Sequence, residues 1–418
     1  MERRMPTDFD VVVVGGGAAG IAAAVGAAQT GATVCVIEQY GFLGGAATNS
    51  SVLTHCGFFD QTGTQVVAGV GQQVLDRLDE RNLYHTQTIA ETGNTVVLLD
   101  LETTKSVYDR VLREAGVTLL LHSRLVSATT DADRVTEVEV VHRGGHRRIT
   151  AKAFVDCSGD GVLIAEAGAE MLLSEPDERQ ACTLVMRAGD VAADADLSQE
   201  GMAAAVDKYR AATGHTLVRD SGIAVRMPVS REIMLLLADQ HRDVLDVDEL
   251  TEAELRAREL SWRYLDAFRR FLPGWENAYL ASTGPQIGIR EARRLAGRDT
   301  VRAEDVSAGR RREHDAIARC GWPMEKHVAP GVTEYGGIRD KGWYHIPHGA
   351  ICSASTDNLW AGGRLVSSDN AAYASLRVMG TSFATGHACG VAAAAYAGTG
   401  EHDYFAVRRE LDRQKALI

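Results

Sequence analysis

One stretch of about thirty residues constrains the fold more than any other. Val11–Val14 is a short apolar run, followed by Gly15-Gly16-Gly17-Ala18-Ala19-Gly20, an alanine-rich segment to Thr30, Gly31, a second strand-like run Thr33–Ile37 and then Glu38. Four consecutive valines suit a central parallel strand buried on both faces, and are far too few to span a membrane. The glycines spell G-x-G-x-x-G. Gly15 permits the tight turn, Gly17 lets a pyrophosphate approach the backbone, and Gly20 lets the helix lie close to the sheet. The spacing predicts a strand, a helix over 18–30, a second strand, and an acid placed to meet a ribose hydroxyl. Free N–H groups at the helix start would hold the phosphates. The unit therefore reads as a dinucleotide site.

The 418 residues allow two domains, each with its own core. The net charge of −12 argues against a nucleic-acid partner, since phosphate binding needs a basic face. Residues 1–8 carry charge and no apolar core, and no later segment is long and apolar enough for a membrane span; the best, around 390–397, is short and built of alanine. Seven scattered cysteines without a C-x-x-C pair suggest reduced thiols in a cytoplasmic protein without a metal site.

Apolar periodicity predicts helices over 71–82, 102–115 and 249–271, a third buried strand over 117–121, and an antiparallel excursion through 135–155. The expected fold is α/β: a Rossmann-like nucleotide domain with a parallel sheet, plus an inserted α+β substrate domain. The nucleotide domain would take residues 1–60, 101–170 and 341–418. Residues 61–100 would face the substrate, and 171–340 would form the substrate domain.

Later segments bear on which dinucleotide is bound. Gly41-Phe42-Leu43-Gly44-Gly45-Ala46-Ala47-Thr48 follows the acid directly; Cys157-Ser158-Gly159-Asp160 caps a strand. Gln286 to Arg294 contains Gly288-Ile289-Arg290-Glu291-Ala292-Arg293-Arg294, and Asn358-Leu359-Trp360-Ala361-Gly362-Gly363-Arg364 leads to Arg377-Val378-Met379. Together these resemble the FAD-dependent oxidoreductase family of the glutathione-reductase-like superfamily over almost the whole chain. One departure is His348-Gly349, which stands where the family usually has Tyr-Arg. The resemblance implies tightly bound FAD. Gly15, Gly17, Ala18, Ala19 and Gly20 would hold the pyrophosphate, Glu38 and Gln39 the adenosine end, and Gly44, Gly45, Ala46 and Thr48 the middle. Val126 would meet the adenine through its backbone. Ser158, Gly159, Asp160, Gly363, Arg364, Met379 and Thr381 would complete the shell. A helix beginning near Thr381 would point its positive end at the flavin pyrimidine ring.

With one G-x-G-x-x-G and no redox cysteine pair, a dehydrogenase or oxidase acting on a small polar substrate is the expected function. The electron acceptor stays open among oxygen, a quinone and a carrier protein. The alternatives are a dehydrogenase using NAD alone and a flavin-binding sensor without catalysis. Oxidation of an alcohol or amine needs a proton acceptor, for which histidine is the usual choice. Of thirteen histidines, His55, on the loop expected to cross the flavin, and His348 are the candidates. Arg290 would hold a substrate carboxylate, unless 290, 294 and 298 form one face of a solvated helix. All three candidates are expected to meet at the seam between the domains.

Overall fold

The computed structural model describes residues 6–89 and 92–418. Asp8–Val14 is the central strand of a seven-stranded sheet, parallel to Val34–Ile37 on one side and Gly145–Asp156 on the other, with Val13 opposite both Val36 and Val155. Val11, Val12 and Val13 are completely buried, which is why the run carries no polar alternation. Thr118–Leu120 adds to Val34–Ile37, and Leu359–Ala361 adds in parallel to the end of Gly145–Asp156. Thr118–Leu120 is only partly buried, because it forms the sheet's edge.

Beyond Gly145–Asp156 the direction reverses. Arg134–His142 and Arg124–Asp131 complete the sheet as antiparallel strands. The sequence reading places Val126 just after the third strand, with its backbone toward the adenine. It lies inside the last of these strands, at an irregularity between Leu125 and Ser127 where it has no register partner, and is 36% exposed.

Helix Ala18–Gln29 is buried along almost its whole length against Met379–Thr399. A Cβ on Gly386 would fall 2.1 Å from the carbonyl oxygen of Ala19, and one on Gly390 1.9 Å from that of Ala23. Small residues on both helices thus let two backbones touch, and this contact fixes where the late helix begins.

The second domain is built on a four-stranded antiparallel sheet in the order Ile223–Arg226, Ile233–Gln240, Cys182–Gly189, Tyr279–Thr283. Alternation along the strands divides its faces. Met186, Ile233, Leu235 and Leu237 pack on helices Gln199–Thr213 and Val247–Phe271 through Met202, Tyr264 and Phe268. Val185, Val225, Met234 and Leu236 face the nucleotide domain. Helix Val247–Phe271 is capped by Asp246, which accepts from the N–H groups of Asp248 and Glu249, and carries acids in its first turn and arginines in its last.

The segment 286–298 is not helical. Gly288 exchanges two backbone hydrogen bonds with Thr183 (2.8 and 3.1 Å), and Arg294–Leu295 pairs with Met171–Leu172. Pairing across the domain captures backbone groups that a helix would have used. Arg290, Arg294 and Arg298 therefore share no face: Arg294 is buried on Glu291 at 2.6 Å, and Arg298 pairs with Asp357 at 3.1 Å.

Candidate cofactor and substrate cavities

A cleft lies at the carboxyl edge of the parallel strands, above the glycine turn. Helix Ala18–Gln29 starts there from Gly17, with no side chain capping its N–H groups. Gly17 discriminates between packing and ligand binding as the reason for this turn. Its φ of −76° suits any residue, and a Cβ there would meet nothing nearer than Gly45 at 3.6 Å. Protein packing does not require a glycine; a group lying on the backbone does. Gly15 and Gly20 differ, because their added Cβ atoms would strike Cys157 O at 2.4 Å and Gly15 O at 1.8 Å.

Glu38 reaches the cleft from the end of the second strand. Its carboxylate accepts from the N–H of Gly16 (2.8 Å) and of Tyr40 (2.9 Å), and burial raises its pKa. Asn49 also borders the cleft, and its buried side-chain oxygen has no partner in the protein. An orphaned acceptor beside a cradle of uncapped N–H groups fits a ligand that carries both hydrogen-bond donors and acceptors.

Gly15, Gly17, Ala18 and Ala19 line the cleft, as do Glu38 and Gln39, then Gly45 and Ala46. Ser158, Gly159 and Asp160 enter from the end of Gly145–Asp156, and Gly363, Arg364 and Met379 close it from the C-terminal block. Arg364 pairs with Asp160 at 3.1 Å and also donates to the carbonyl of Ile289. Five expected contacts are not part of the lining. Gly20 and Gly44 serve the turns (Gly44 has φ +121°), and the Thr48 hydroxyl is turned onto Leu43 O at 2.7 Å. Thr381 points at the sulfur of Cys320 (3.3 Å), and Val126 points outward while Ser123, Arg124 and Leu125 take its place.

A second cavity of about 450 Å³ lies between the four-stranded sheet and the nucleotide domain. It meets the cleft at Ala46, Ile289, Arg364, Arg377 and Met379. Helix Met379–Thr399 begins at this junction, bringing its positive end there.

Polar groups converge on one wall of the second cavity. Arg290 donates to Ala181 O (2.5 Å) and to Thr183 Oγ1 (2.8 Å), while Thr183 donates to the buried carboxylate of Asp239 (2.5 Å), which is ion-paired with Arg219 at 2.8 Å. Burial, opposed by Asp239, pulls the Arg290 pKa down to about 10. Arg377 donates to Glu325 O at 3.0 Å, and its Nε is buried without a partner. Beside them stands His327, in the hairpin formed by Met324–Ala329 and Val332–Gly336, with Nδ1 3.1 Å from Thr333 Oγ1 and Nε2 3.8 Å from Glu325 Oε1. Burial first, then the charges of Arg290, Arg377 and Arg219, hold its pKa well below the usual histidine range. Its imidazole is neutral at pH 7.

His55 and His348 do not join this group. Thr54 and Cys56 face the second cavity, so strand alternation sends the His55 side chain the other way. It is wholly buried among Phe58, Tyr108 and Phe383, bonded to the Tyr108 hydroxyl at 2.8 Å, and burial alone pulls its pKa down to about 3. His348 packs on Tyr404 and Cys352, away from both cavities, with a pKa lowered to about 4 by burial. His345 takes the N–H of Arg312 and borders neither cavity. Of the three expected catalytic residues, only Arg290 reaches the cavity wall. Cys56 also borders the cavity, its thiol pushed up to about 12 by burial.

The model of the family described as FAD dependent oxidoreductase matches residues 10–411. The chain belongs to the FAD-dependent oxidoreductase family. FAD is its cofactor, and the glycine cradle, Glu38 and Asn49 form a cleft suited to it. No curated protein matches the sequence. Among solved structures, the geranylgeranyl bacteriochlorophyll reductase-like protein from Thermoplasma acidophilum is similar with a TM-score of 0.50 and 12% identity, over 98% of this chain and 84% of that one. The p-nitrophenol 4-monooxygenase from Pseudomonas putida reaches 0.52 and 13%, over 98% and 86%. At such identities the likeness is one of fold, shared by a reductase-like protein and a monooxygenase alike. It singles out no glutathione-reductase-like subgroup. Among the described residues no helix is long and apolar enough to cross a membrane.

Proposed function

We propose that this FAD-dependent oxidoreductase is a dehydrogenase or oxidase that oxidises a C–H bond of a small polar substrate held in the second cavity. The observation that carries this reading is the junction itself. The second cavity opens onto the cofactor cleft at Arg377 and Met379, and one wall of it brings together a cation, a neutral imidazole and a carboxylate. FAD, held in the cleft, supplies a two-electron acceptor for the substrate carbon.

The chain's own residues then have separable tasks. Arg290, fixed by Ala181 and Thr183, binds an anionic group of the substrate and orients it. His327 takes the proton from the substrate O–H or N–H. In the tautomer whose Nδ1–H is given to Thr333, the Nε2 lone pair is free to accept it. In the free protein the nearby arginines oppose that protonation. An anion on Arg290 offsets their charge, so the base strengthens when substrate is bound. Glu325, 3.8 Å away, then faces the imidazolium.

Anaerobic mixing of the FAD-loaded protein with small alcohols, amines and saturated ring compounds tests this reading. Bleaching of the flavin band by one class supports it. Oxygen use that depends strictly on added NADPH would overturn it in favour of a monooxygenase. Bleaching by cellular reductants alone would overturn it in favour of a sensor.

A further inference from the structure

The second cavity has two chemically different ends, and its charges do not balance. Neither Arg290 nor Arg377 has a carboxylate within ion-pair distance among the described residues, although Arg377 is close enough to lower the Arg290 pKa. The Asp239 carboxylate is already paired with Arg219. Of the three guanidinium groups on the cavity wall, Arg364 is paired with Asp160 at 3.1 Å; Arg290 and Arg377 then stand against the one carboxylate of Glu325, with His327 neutral, which leaves a single net positive charge. A cation held away from bulk water without a counter-ion is costly, and a ligand anion removes that cost. The opposite lining is mostly apolar, with Gln87, Thr88 and Asn94 at its margin. Val225 and Leu236 come from the inner face of the four-stranded sheet, Val96 from the small sheet beneath, and Ile223 from the edge strand, and none of them borders the cofactor cleft.

We infer that the second cavity binds an amphiphilic monocarboxylate, its carboxylate on Arg290 and Arg377 at the flavin-facing junction and its apolar body against Val225, Leu236 and Val96. This substrate class rests on the oxidase or dehydrogenase reading above, while the binding site itself stands without it. One net positive charge suits a monoanion better than a phosphate dianion. A planar two-oxygen group also matches the guanidinium fork. A cavity of about 450 Å³ accommodates a body of several carbons beyond the carboxylate.

The test uses the FAD-loaded protein and three probes of one length: hexanoate, hexanamide and hexan-1-ol, with propionate as the short control. Binding is followed by perturbation of the flavin absorbance and by calorimetry, so it needs no turnover. Hexanoate is expected to bind roughly 30-fold or more tighter than hexanamide or hexan-1-ol, as for a charge-assisted pair in a desolvated site. It is also expected to bind more tightly than propionate. Arg290→Gln should weaken hexanoate by about a hundredfold and Arg377→Gln by about tenfold, with hexanamide changed less than about threefold. Equal binding of hexanoate and hexanamide to the unaltered protein would overturn the inference without recourse to any variant, as would unchanged hexanoate affinity in both variants. If hexanoate binds as expected and no hydroxy- or amino-carboxylate reduces the flavin, the carboxylate site stands and the oxidation reading falls.

Discussion

The guanidinium of Arg290 donates to the hydroxyl of Thr183 at 2.8 Å, and through that hydroxyl it is linked to the buried carboxylate of Asp239. Arg290 is thus aimed by the inner face of the substrate-domain sheet while its charge stays free for a ligand. Thr183→Val removes the link and keeps the shape. The expected result is a KM about 10- to 100-fold higher, the scale of one hydrogen bond to a charged group, with kcat changed far less. Steady-state kinetics on the reducing substrate checks the split; a fall in kcat alone would contradict this role.

Gly17 and Gly390 should respond to the same substitution in opposite ways. Gly17→Val puts a side chain into the cradle whose Cβ meets protein only at van der Waals distance (Gly45, 3.6 Å), so the apoprotein melting temperature should stay within a few degrees while FAD affinity falls by about a hundredfold or more. Gly390→Val drives a side chain into Ala23 O and should destabilise the fold by at least about 1–3 kcal/mol whether or not FAD is bound. Thermal melts with and without FAD, together with flavin content, separate the two.

Acid should weaken the protein well before its carboxylates titrate. His55 and His387 are buried and neutral, with pKa values lowered to about 3 and about 4. Below about pH 6.5 the unfolded chain binds protons at these positions and the folded chain does not, so stability falls as pH drops from there toward 4. Each such histidine contributes a slope of up to about 1.4 kcal/mol per pH unit. His387→Gln should lose about 2 kcal/mol less between pH 6.5 and 5 than the unaltered protein. Denaturation at both pH values checks this, and equal losses would contradict it.

The cofactor cleft was legible in the sequence because local chemistry writes it there. A glycine turn, a buried valine run and an acid after the second strand have their meaning within about thirty residues. The features that the sequence did not reveal depend on partners distant in sequence. Val126 turns outward at an irregularity in the pairing of its strand with 134–142. Arg290 leaves a helical pattern because Gly288 bonds to Thr183 across the domain. His55 looked accessible on a loop of small residues, yet alternation gives the cavity to Thr54 and Cys56. His327 carried no signal at all. It is one histidine in a hairpin of ordinary composition, and its role arises from the arginines that the fold brings around it. The sequence likewise does not reveal that the two arginines on that wall lack a counter-ion.

The account rests most on His327, rather than His55, as the proton acceptor. The direct measurement is the anaerobic single-turnover rate of flavin reduction in His327→Gln and His55→Gln, each loaded with FAD and driven by the same substrate. His327→Gln is predicted to slow reduction by roughly 10²–10⁴-fold and to abolish the acid limb of the pH–rate profile, with FAD still bound. His55→Gln is predicted to lower stability, through the lost Tyr108 contact, and to leave the rate within a few fold. A His327→Gln protein that reduces its flavin at the unaltered rate, or a His55→Gln protein that is folded, FAD-loaded and slowed a hundredfold, would contradict the account.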